Sequence, residues 1–260
     1  MISTLAWDST FFGRKIGELK ISRDPFFSIE TALNKAEAEG FQYILCRTRL
    51  QNAHLIRFLE SAGFHLSDIG ITWSVRTAKF TLTGSAGSEG IRKPVAVAAA
   101  RDIPMLKKIT PSLFLESRFY HDPFFSKKEA DSLYLTWVEN AVKGKAADIV
   151  FCVPGEGYIT CKKRNRSGEI VLLGVRKESR GKGTGTALVK KAMGWFTAQG
   201  LHSVSVRTQL RNLDAMNFYG KLGFTIKSHD MIFGKILQKP RHTARRAGRL
   251  EAQPRTMKAL

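Results

Sequence analysis

The chain has few cysteines, few acidic residues and no long hydrophobic run. Its 260 residues include three cysteines, Cys46, Cys152 and Cys161. An odd number at spacings that match no metal motif argues against a disulfide framework, so we expect buried, reduced thiols in a cytoplasmic protein and no metal site. No apolar stretch approaches ~18 residues, and the first residues lack the pattern of a signal peptide, so we predict neither a membrane span nor a secretory leader.

Acidic residues are scarce relative to basic ones. Asp and Glu number 22 against 42 Lys and Arg, which gives a net charge of +20. Such a charge is compatible with nucleic-acid binding, because clustered Lys and Arg neutralise phosphates. Part of the excess lies in residues 239–260, which lack sustained periodicity and are expected to be flexible. The remainder suits a small polyanionic ligand as well as a duplex, and a basic surface with no particular ligand is the alternative.

Gly, Ser and Thr are concentrated in residues 81–90, between two apolar regions, and this composition is typical of a linker. The predicted segments are an N-terminal unit (1–82), a linker (83–90), a larger unit (91–238) and a basic tail (239–260). Helix and strand patterns alternate, with an antiparallel component, which predicts an α/β fold with a mixed sheet. We expect the aromatic segment 114–132 to be a loop and residues 224–237 to form a closing hairpin.

A strand at 169–175 leads into a glycine-rich turn, Arg180 to Gly185, and then directly into a helix. Glycines let backbone N–H groups approach a ligand, and a helix N-terminus supplies unpaired donors and a partial positive charge. Arg180 and Lys182 add full charges, so the stretch suits a pyrophosphate. The alternative is a glycine-rich turn that only caps the helix.

The two common nucleotide motifs do not fit this turn. The Walker A pattern requires Ser or Thr after the lysine, and Gly183 follows Lys182; the dinucleotide fingerprint requires a third glycine where Leu188 stands. The turn instead resembles motif A of the GNAT superfamily of acyl-CoA N-acyltransferases, Arg/Gln-x-x-Gly-x-Gly/Ala, with Arg180, Gly183 and Gly185 at the matching positions. Downstream, the segment from Asn212 to Phe224 resembles the next motif of that superfamily.

The resemblance covers about residues 92–237. It implies a GNAT fold and acetyl-CoA as the co-substrate. It also implies that the pantetheine arm pairs with the backbone of Leu173 and Val175, in the cleft between the strands at 170–175 and 203–208. Asn212 is expected to cap its helix, and in the family the matching Asn also contacts CoA. The residues that this resemblance assigns to the pyrophosphate are Arg180, Gly181, Lys182, Gly183, Thr184, Gly185 and Thr186.

Residues 47–64 repeat residues 207–224 at a constant offset of 160, with seven identical positions of 18. The first copy keeps the helix-start Asn and the Gly-Phe at the helix end. It has no glycine-rich loop before it, and Leu59 stands where the second copy has Tyr219. We therefore predict that the N-terminal unit is a truncated GNAT-like copy that acts as a scaffold; chance similarity is the alternative.

Tyr219 is the candidate general acid. When an amine attacks the thioester, CoA leaves as a thiolate, and a phenol with a pKa of ~10 is protonated at neutral pH and can supply the proton. In the family, a tyrosine at this position has that role. The alternative is a structural tyrosine whose hydroxyl bonds to the sheet. Direct transfer in a ternary complex needs no protein nucleophile.

A narrower resemblance concerns the acceptor. Trp7-Asp8-Ser9-x-Phe11-Phe12, Ser117-Arg118-Phe119 and Arg207-Thr208-Gln209 resemble the TDP-fucosamine acetyltransferase family. This implies a nucleotide-linked 4-amino sugar destined for a surface polysaccharide. Substrate contacts are expected from Arg118, Tyr120 and His121, in the loop that would cover the acceptor. Solvated side chains without a ligand are the alternative.

Two other functions stay open. One is N-acetylation of a protein N-terminus, a lysine or another small amine. The other is a non-catalytic CoA-fold binding module that uses its basic surface for nucleic acid or a membrane. Tyr219 and the intact glycine-rich turn argue against the second, so nucleic acid is not an expected partner. The sugar, the nucleotide, the acyl length and the oligomeric state, including a homodimer, are left open by the sequence.

Overall fold

The computed structural model of this chain describes residues 1–21, 28–80 and 94–237, so the predicted linker and tail lie outside the described residues. The described chain divides into two compact units, each assembled from separate stretches. Among the described residues, unit 1 comprises 1–21, 28–70, 117–129 and 229–237, and unit 2 comprises 71–80, 94–116 and 130–228.

The elements alternate between strand and helix along the chain. The strands are β1 (Ile2–Thr4), β2 (Ile16–Leu19), β3 (Tyr43–Thr48), β4 (His65–Arg76), β5 (Ala96–Val97), β6 (Ile149–Val153), β7 (Gly157–Arg164), β8 (Ser167–Val175), β9 (Ser203–Gln209) and β10 (Thr225–Ile236). The helices are α1 (Ala6–Phe12), α2 (Ile29–Ala38), α3 (Ala53–Ser61), α4 (Ile103–Ile109), α5 (Arg118–His121), α6 (Lys127–Val142), α7 (Thr184–Ala198) and α8 (Leu213–Lys221).

Unit 1 is built on β3, whose apolar side chains point into the core on both faces. Tyr43, Ile44, Leu45 and Cys46 are all fully buried, as expected of a central strand. β2 pairs parallel to β3, β1 pairs antiparallel to β2, and β10 pairs antiparallel to β3 from Met231 onward. Helix α2 connects the two parallel strands, which gives a mixed sheet.

Unit 2 contains the order β9-β8-β7-β6-β5. The neighbours from β5 to β8 are antiparallel, whereas β8 and β9 are parallel and are joined by α7. Helix α7 buries Leu188, Val189 and Phe196. The mixed α/β sheet predicted from the alternation of patterns is therefore confirmed. Cys46, Cys152 and Cys161 are buried free thiols, and none of the described helices is long and apolar enough to span a membrane.

The internal repeat is structural as well as sequential. Helix α3 and strand β4 of the first copy correspond to α8 and β10 of the second, and all four element boundaries preserve the offset of 160. The N-caps differ, however. Asn212 accepts a hydrogen bond from the backbone N–H of Ala215 at 3.1 Å, which confirms the predicted cap, whereas Asn52 makes no side-chain cap and donates to Thr48 Oγ1 at 3.2 Å.

Residues 225–236 form one continuous strand, so the closing hairpin predicted there is wrong. The polar sequence Ser-His-Asp in its middle is typical of a turn. In the structure Asp230 Oδ2 instead lies 3.5 Å from Arg47 Nη1, and the following residues pair with β3. This tertiary pairing overrides the local turn preference.

The aromatic segment predicted as a loop contains α5 and the start of α6. Helix α6 begins at Lys127, inside the segment that was expected to be a loop. Its first turn is a capping box: Glu129 N–H donates to Ser126 Oγ at 3.3 Å, and Ser126 N–H donates to Glu129 Oε2 at 2.8 Å. The Ser-x-x-Glu signature was therefore present in the sequence, and the aromatic composition obscured it.

A buried carboxylate organises unit 1. The side chain of Asp122 is 0% exposed. It accepts hydrogen bonds from the Tyr43 hydroxyl, from Ser67 Oγ at 2.6 Å and from the Phe124 N–H at 3.0 Å, and His65 Nε2 lies 3.3 Å away. Burial by itself raises the pKa of Asp122, but the hydrogen bonds outweigh it and lower the pKa to about 2.

Replacing Asp122 with Asn should lower the free energy of unfolding at pH 7 by roughly 2 kcal/mol, because the amide cannot accept all of these donors. The folded carboxyl has a pKa of about 2, below its ordinary value of 3.8. Its stabilisation is therefore complete above the unfolded pKa and is lost as the pH falls through about 2. Urea unfolding of both proteins over this range measures the difference, and a difference independent of pH would contradict the expectation.

Candidate active site

The turn between β8 and α7 depends on two glycines. Gly181 and Gly183 have φ of +73° and +80°, a backbone conformation that side-chain-bearing residues rarely adopt. A Cβ built on either glycine meets no heavy atom within 4 Å. The glycines are therefore required by the backbone rotation, and the space in front of the turn is open to a ligand.

The N-terminus of α7 presents backbone donors at this turn. Gly183 is the N-cap residue, and no described side chain caps the helix. The Gly183 carbonyl accepts the first intrahelical hydrogen bond, from the Ala187 N–H at 2.9 Å. The N–H groups of residues 184–186 precede that bond and lack intrahelical partners, and they carry the positive end of the helix dipole. Arg180 and Lys182 are exposed beside them. This arrangement suits a phosphate group.

Two side chains of the turn have distinct anchors. Thr184 is buried and donates to Glu156 Oε2 at 2.5 Å, a contact that the sequence did not indicate. Arg180 Nε donates to the Val175 carbonyl at 3.2 Å, and its Nη1 lies 3.7 Å from Asp214 Oδ2. The Arg180 side chain is 48% exposed, so solvent screens this pair and the guanidinium remains available to an anion.

Gly185 has a packing role. A Cβ at this position would lie 3.2 Å from the ring of Phe218, closer than ordinary van der Waals contact. The absence of a side chain thus lets α7 approach α8 at the residue before Tyr219. The predicted contact of Gly185 with the cofactor stays a prediction.

Strands β8 and β9 part within unit 2. Their parallel ladder runs from Ser167 opposite Ser203 to Ile170 opposite Val206 and ends there, although β8 continues to Val175. Beyond the ladder, the facing backbone groups of the two strands are not paired with each other. Unpaired strand edges readily bind extended ligands, because backbone N–H and C=O groups require partners.

A β-bulge marks the point of separation. On the other side of β8, Thr160 pairs with Leu172 and Cys161 pairs with Ile170, so Val171 is the extra residue. The Thr160 hydroxyl accepts from Leu172 N–H at 3.0 Å, which replaces a ladder bond. Bulges bend and twist a strand. The bulge thereby turns β8 at the segment that contains Leu173 and Val175, the residues predicted to pair with the pantetheine arm.

Tyr219 is buried in α8 and has no hydrogen-bond partner among the described residues. Its ring packs against Phe218 at 5.4 Å and Phe224 at 5.6 Å between centroids, and the side chain is 4% exposed. Burial is the only cause that raises its pKa, and no described residue hydrogen-bonds to its hydroxyl. The phenol is therefore protonated and unengaged, and the alternative of a sheet-bonded structural tyrosine does not hold for the described residues.

The three residues predicted to contact the acceptor lie in unit 1, whereas the turn, the parted strands and Tyr219 lie in unit 2. Tyr120 is half-buried and His121 is exposed, but Arg118 is 1% exposed and is thus not a solvated loop residue. Burial raises the pKa of Asp8, and the positive charge of Arg118 opposes that rise. Asp8 and Arg118, which belong to two motifs of the narrower sequence resemblance, therefore attract each other electrostatically.

The parted strands and the open glycine turn at a helix N-terminus together suit an extended, phosphate-bearing ligand such as an acyl-CoA. Residues 111–224 match the family described as "Acetyltransferase (GNAT) family". The chain belongs to this family of acetyltransferases, whose members use acetyl-CoA as the co-substrate. It is a GNAT-type N-acetyltransferase with the predicted fold.

Two curated relatives and one solved structure illustrate the similarity. The chain is 24% identical over 233 residues to a dTDP-fucosamine acetyltransferase of Escherichia coli O6:H1 (strain CFT073), covering 87% of this chain and 94% of the relative. It is 32% identical over 123 residues to streptothricin acetyltransferase A of Bacillus subtilis (strain 168), covering 45% and 67%. The crystal structure of a GCN5-related N-acetyltransferase from Sphaerobacter thermophilus aligns with a TM-score of 0.60 at 13% identity, covering 91% of this chain and 76% of that chain.

Gly183→Ala should weaken acetyl-CoA binding by about tenfold or more, because the left-handed backbone is strained and a methyl group enters the open space. Gly200→Ala is the matched control at the other end of α7, since Gly200 has a φ of +70° and equally open surroundings. Both variants should lose about 1 kcal/mol of stability. Calorimetric titration with acetyl-CoA separates them, and equal losses of affinity would contradict a binding role for the turn.

Proposed function

We propose that this N-acetyltransferase transfers an acetyl group from acetyl-CoA to a nucleotide-linked 4-amino sugar, directly in a ternary complex, with Tyr219 as the general acid. The observation that carries the mechanism is the buried phenol without a hydrogen-bond partner, on the helix that Gly185 allows to pack closely against α7. A hydroxyl kept in this state is free to donate to a reacting group.

The co-substrate is proposed to lie along β8 and the turn that follows it. The N–H groups at the start of α7, with Arg180 and Lys182, would hold the pyrophosphate. Backbone groups of Leu173 and Val175 would pair with the pantetheine arm, and Asn212 would add a polar contact. When bound, acetyl-CoA supplies the activated acyl group.

The transfer forms a C–N bond from the neutral acceptor amine to the acetyl carbonyl carbon, releases one proton from that nitrogen to solvent and breaks the C–S bond. The electron pair of the C–S bond leaves on the CoA sulfur, which takes a proton from Tyr219, and solvent returns a proton to the phenolate. Burial raises the pKa of Tyr219 and so weakens it as an acid. The same buried surroundings also raise the pKa of a CoA thiol beside Tyr219. The difference in pKa between the thiol and the phenol therefore stays small, and the proton transfer remains feasible.

Two observations support the sugar acceptor. The chain covers 94% of a relative whose name states dTDP-fucosamine as its substrate. The Trp7-Asp8 and Ser117-Arg118 stretches, which resemble that family, are coupled in unit 1 rather than scattered. Arg118, Tyr120 and His121 are the proposed acceptor contacts, and the product would be an N-acetylated sugar for a surface polysaccharide.

A second candidate acceptor is another amine of low molecular weight. The chain is 32% identical to streptothricin acetyltransferase A over 67% of that protein, and this identity favours it. The cheapest discrimination is a panel assay of CoA release with TDP- and UDP-linked amino sugars, streptothricin, lysine and N-terminal peptides. Turnover confined to sugar nucleotides supports the first proposal, and turnover confined to the other amines removes it.

Tyr219→Phe should lower kcat roughly 100-fold or more while acetyl-CoA affinity stays within about twofold, because only the proton donor is lost. Tyr158→Phe is the matched control, since Tyr158 is buried in the same unit but its hydroxyl already bonds to Thr110 Oγ1 at 3.0 Å. That variant should lose stability and retain most of its kcat. Steady-state kinetics and thermal unfolding of both measure the difference; equal kcat losses would argue against Tyr219 as the acid.

A further inference from the structure

Residues 117–129, here called the recognition segment, belong to unit 1, although the chain on both sides of them belongs to unit 2. The segment contains α5 and therefore the three proposed acceptor contacts. The stretch from β3 to β4, which contains the first sequence copy, has no phosphate turn and no acid, since Leu59 replaces the tyrosine. Its contribution to the reaction must therefore come through what it holds.

Asp122 is the main attachment of the recognition segment. Its carboxylate receives the Tyr43 hydroxyl from β3 and the Ser67 hydroxyl from β4, with His65 Nε2 at 3.3 Å. Three side chains of β3 and β4 thus converge on one side chain of the segment. A buried carboxylate with this many donors fixes its own backbone, because each donor left unmet would be costly.

The segment is attached at two further points. The ring of Phe124 stacks on Tyr43 with centroids 4.5 Å apart. Arg14 donates from Nη1 to the Phe124 carbonyl at 2.9 Å and from Nη2 to Glu129 Oε1 at 2.5 Å. The middle and the end of the segment are therefore both held by side chains from the N-terminal part of unit 1, Tyr43 and Arg14.

The start of the segment holds hydrogen-bond donors that no described residue satisfies. The Arg118 guanidinium lies 4.3 Å from the centroid of the Phe119 ring and 5.4 Å from that of Phe125, and its Nε and Nη1 are buried without a described acceptor. Ser117 Oγ is likewise buried and has no hydrogen-bond partner among the described residues. Buried donors normally have partners, so their absence points to a polar group that arrives with a ligand.

The residues just before this segment pack against β8, the strand proposed to bind pantetheine. A Cβ on Gly174 of β8 would lie 2.6 Å from Leu113 Cδ1 and 3.1 Å from Phe114 Cζ, so these side chains occupy the place of a side chain on β8. Arg118 follows Phe114 by four residues. The unsatisfied donors therefore follow, within a few residues of sequence, the stretch that packs on β8.

We propose that Asp122 is a positioning residue for acceptor recognition. Through Tyr43, Ser67 and His65, strands β3 and β4 hold the recognition segment so that Ser117 and Arg118 present their buried donors to the anionic nucleotide part of the acceptor. These two strands, which flank the first copy, thus serve the acceptor and not acetyl-CoA. This inference rests on the proposed function, because it assigns the acceptor to the segment.

The test compares Asp122→Asn and Tyr43→Phe with the wild-type chain, using TDP-4-amino-4,6-dideoxygalactose as the acceptor. We expect the acceptor KM to rise about tenfold or more in Asp122→Asn and less in Tyr43→Phe, while the Kd for acetyl-CoA stays within about twofold. The double variant should be little worse than Asp122→Asn, because both changes break one network. Hydrogen exchange in residues 117–129 should accelerate in the same order. Tyr43→Phe removes a single hydroxyl and keeps the test usable if Asp122→Asn folds poorly.

Leu33→Ala is the control for general loosening of unit 1, since Leu33 is buried in a core cluster that contains no residue of the recognition segment. It should lower stability and leave the acceptor KM within about twofold. An unchanged acceptor KM in Asp122→Asn, or an equal rise in Leu33→Ala, overturns the positioning role. A wild-type chain that does not turn over the sugar nucleotide overturns the acceptor assignment, and this inference with it.

Discussion

The parting of β8 and β9 is the constraint on which the site depends. A parallel pair that remained in register to its end would satisfy its own backbone and offer nothing to a ligand. Here the ladder ends at Ile170 and Val206, directly before the bulge at Val171. The glycine turn and the α7 N-terminus follow at the end of β8, so backbone donors for an extended arm and for a phosphate occur in one continuous stretch of chain.

The two copies show how one scaffold can keep its shape and lose its chemistry. The helix and strand that follow the repeated Asn have identical lengths in both copies. At the corresponding position Leu59 is fully buried in the core of unit 1, whereas Tyr219 is a buried side chain whose hydroxyl has no hydrogen-bond partner among the described residues. The leucine stabilises its unit, and the tyrosine places a hydroxyl where the proposed reaction can use it.

Local signals predicted much of the site. The glycines of the turn, the cap at Asn212 and the glycine-terminated helices each follow from backbone rules that act within a few residues. The wrong hairpin in β10 and the overlooked start of α6 occurred where local preference competes with another interaction. Asp230 in the middle of β10 pairs with the Arg47 side chain of the neighbouring strand, and the aromatic residues before α6 conceal a capping box.

By itself the sequence determined the family, the glycine-rich turn before α7, the repeated copy and the identity of the candidate acid, because these depend on residue type at fixed spacing. Only the tertiary structure decided that Val171 bulges, that the Tyr219 hydroxyl has no described partner and that Asp122 collects donors from Tyr43, His65 and Ser67. Those donors come from two strands that are distant in the sequence from Asp122. Their hydrogen bonds hold the segment in place because the carboxylate they contact is buried. No local spacing encodes such a meeting, because it exists only once the strands and the segment have packed together.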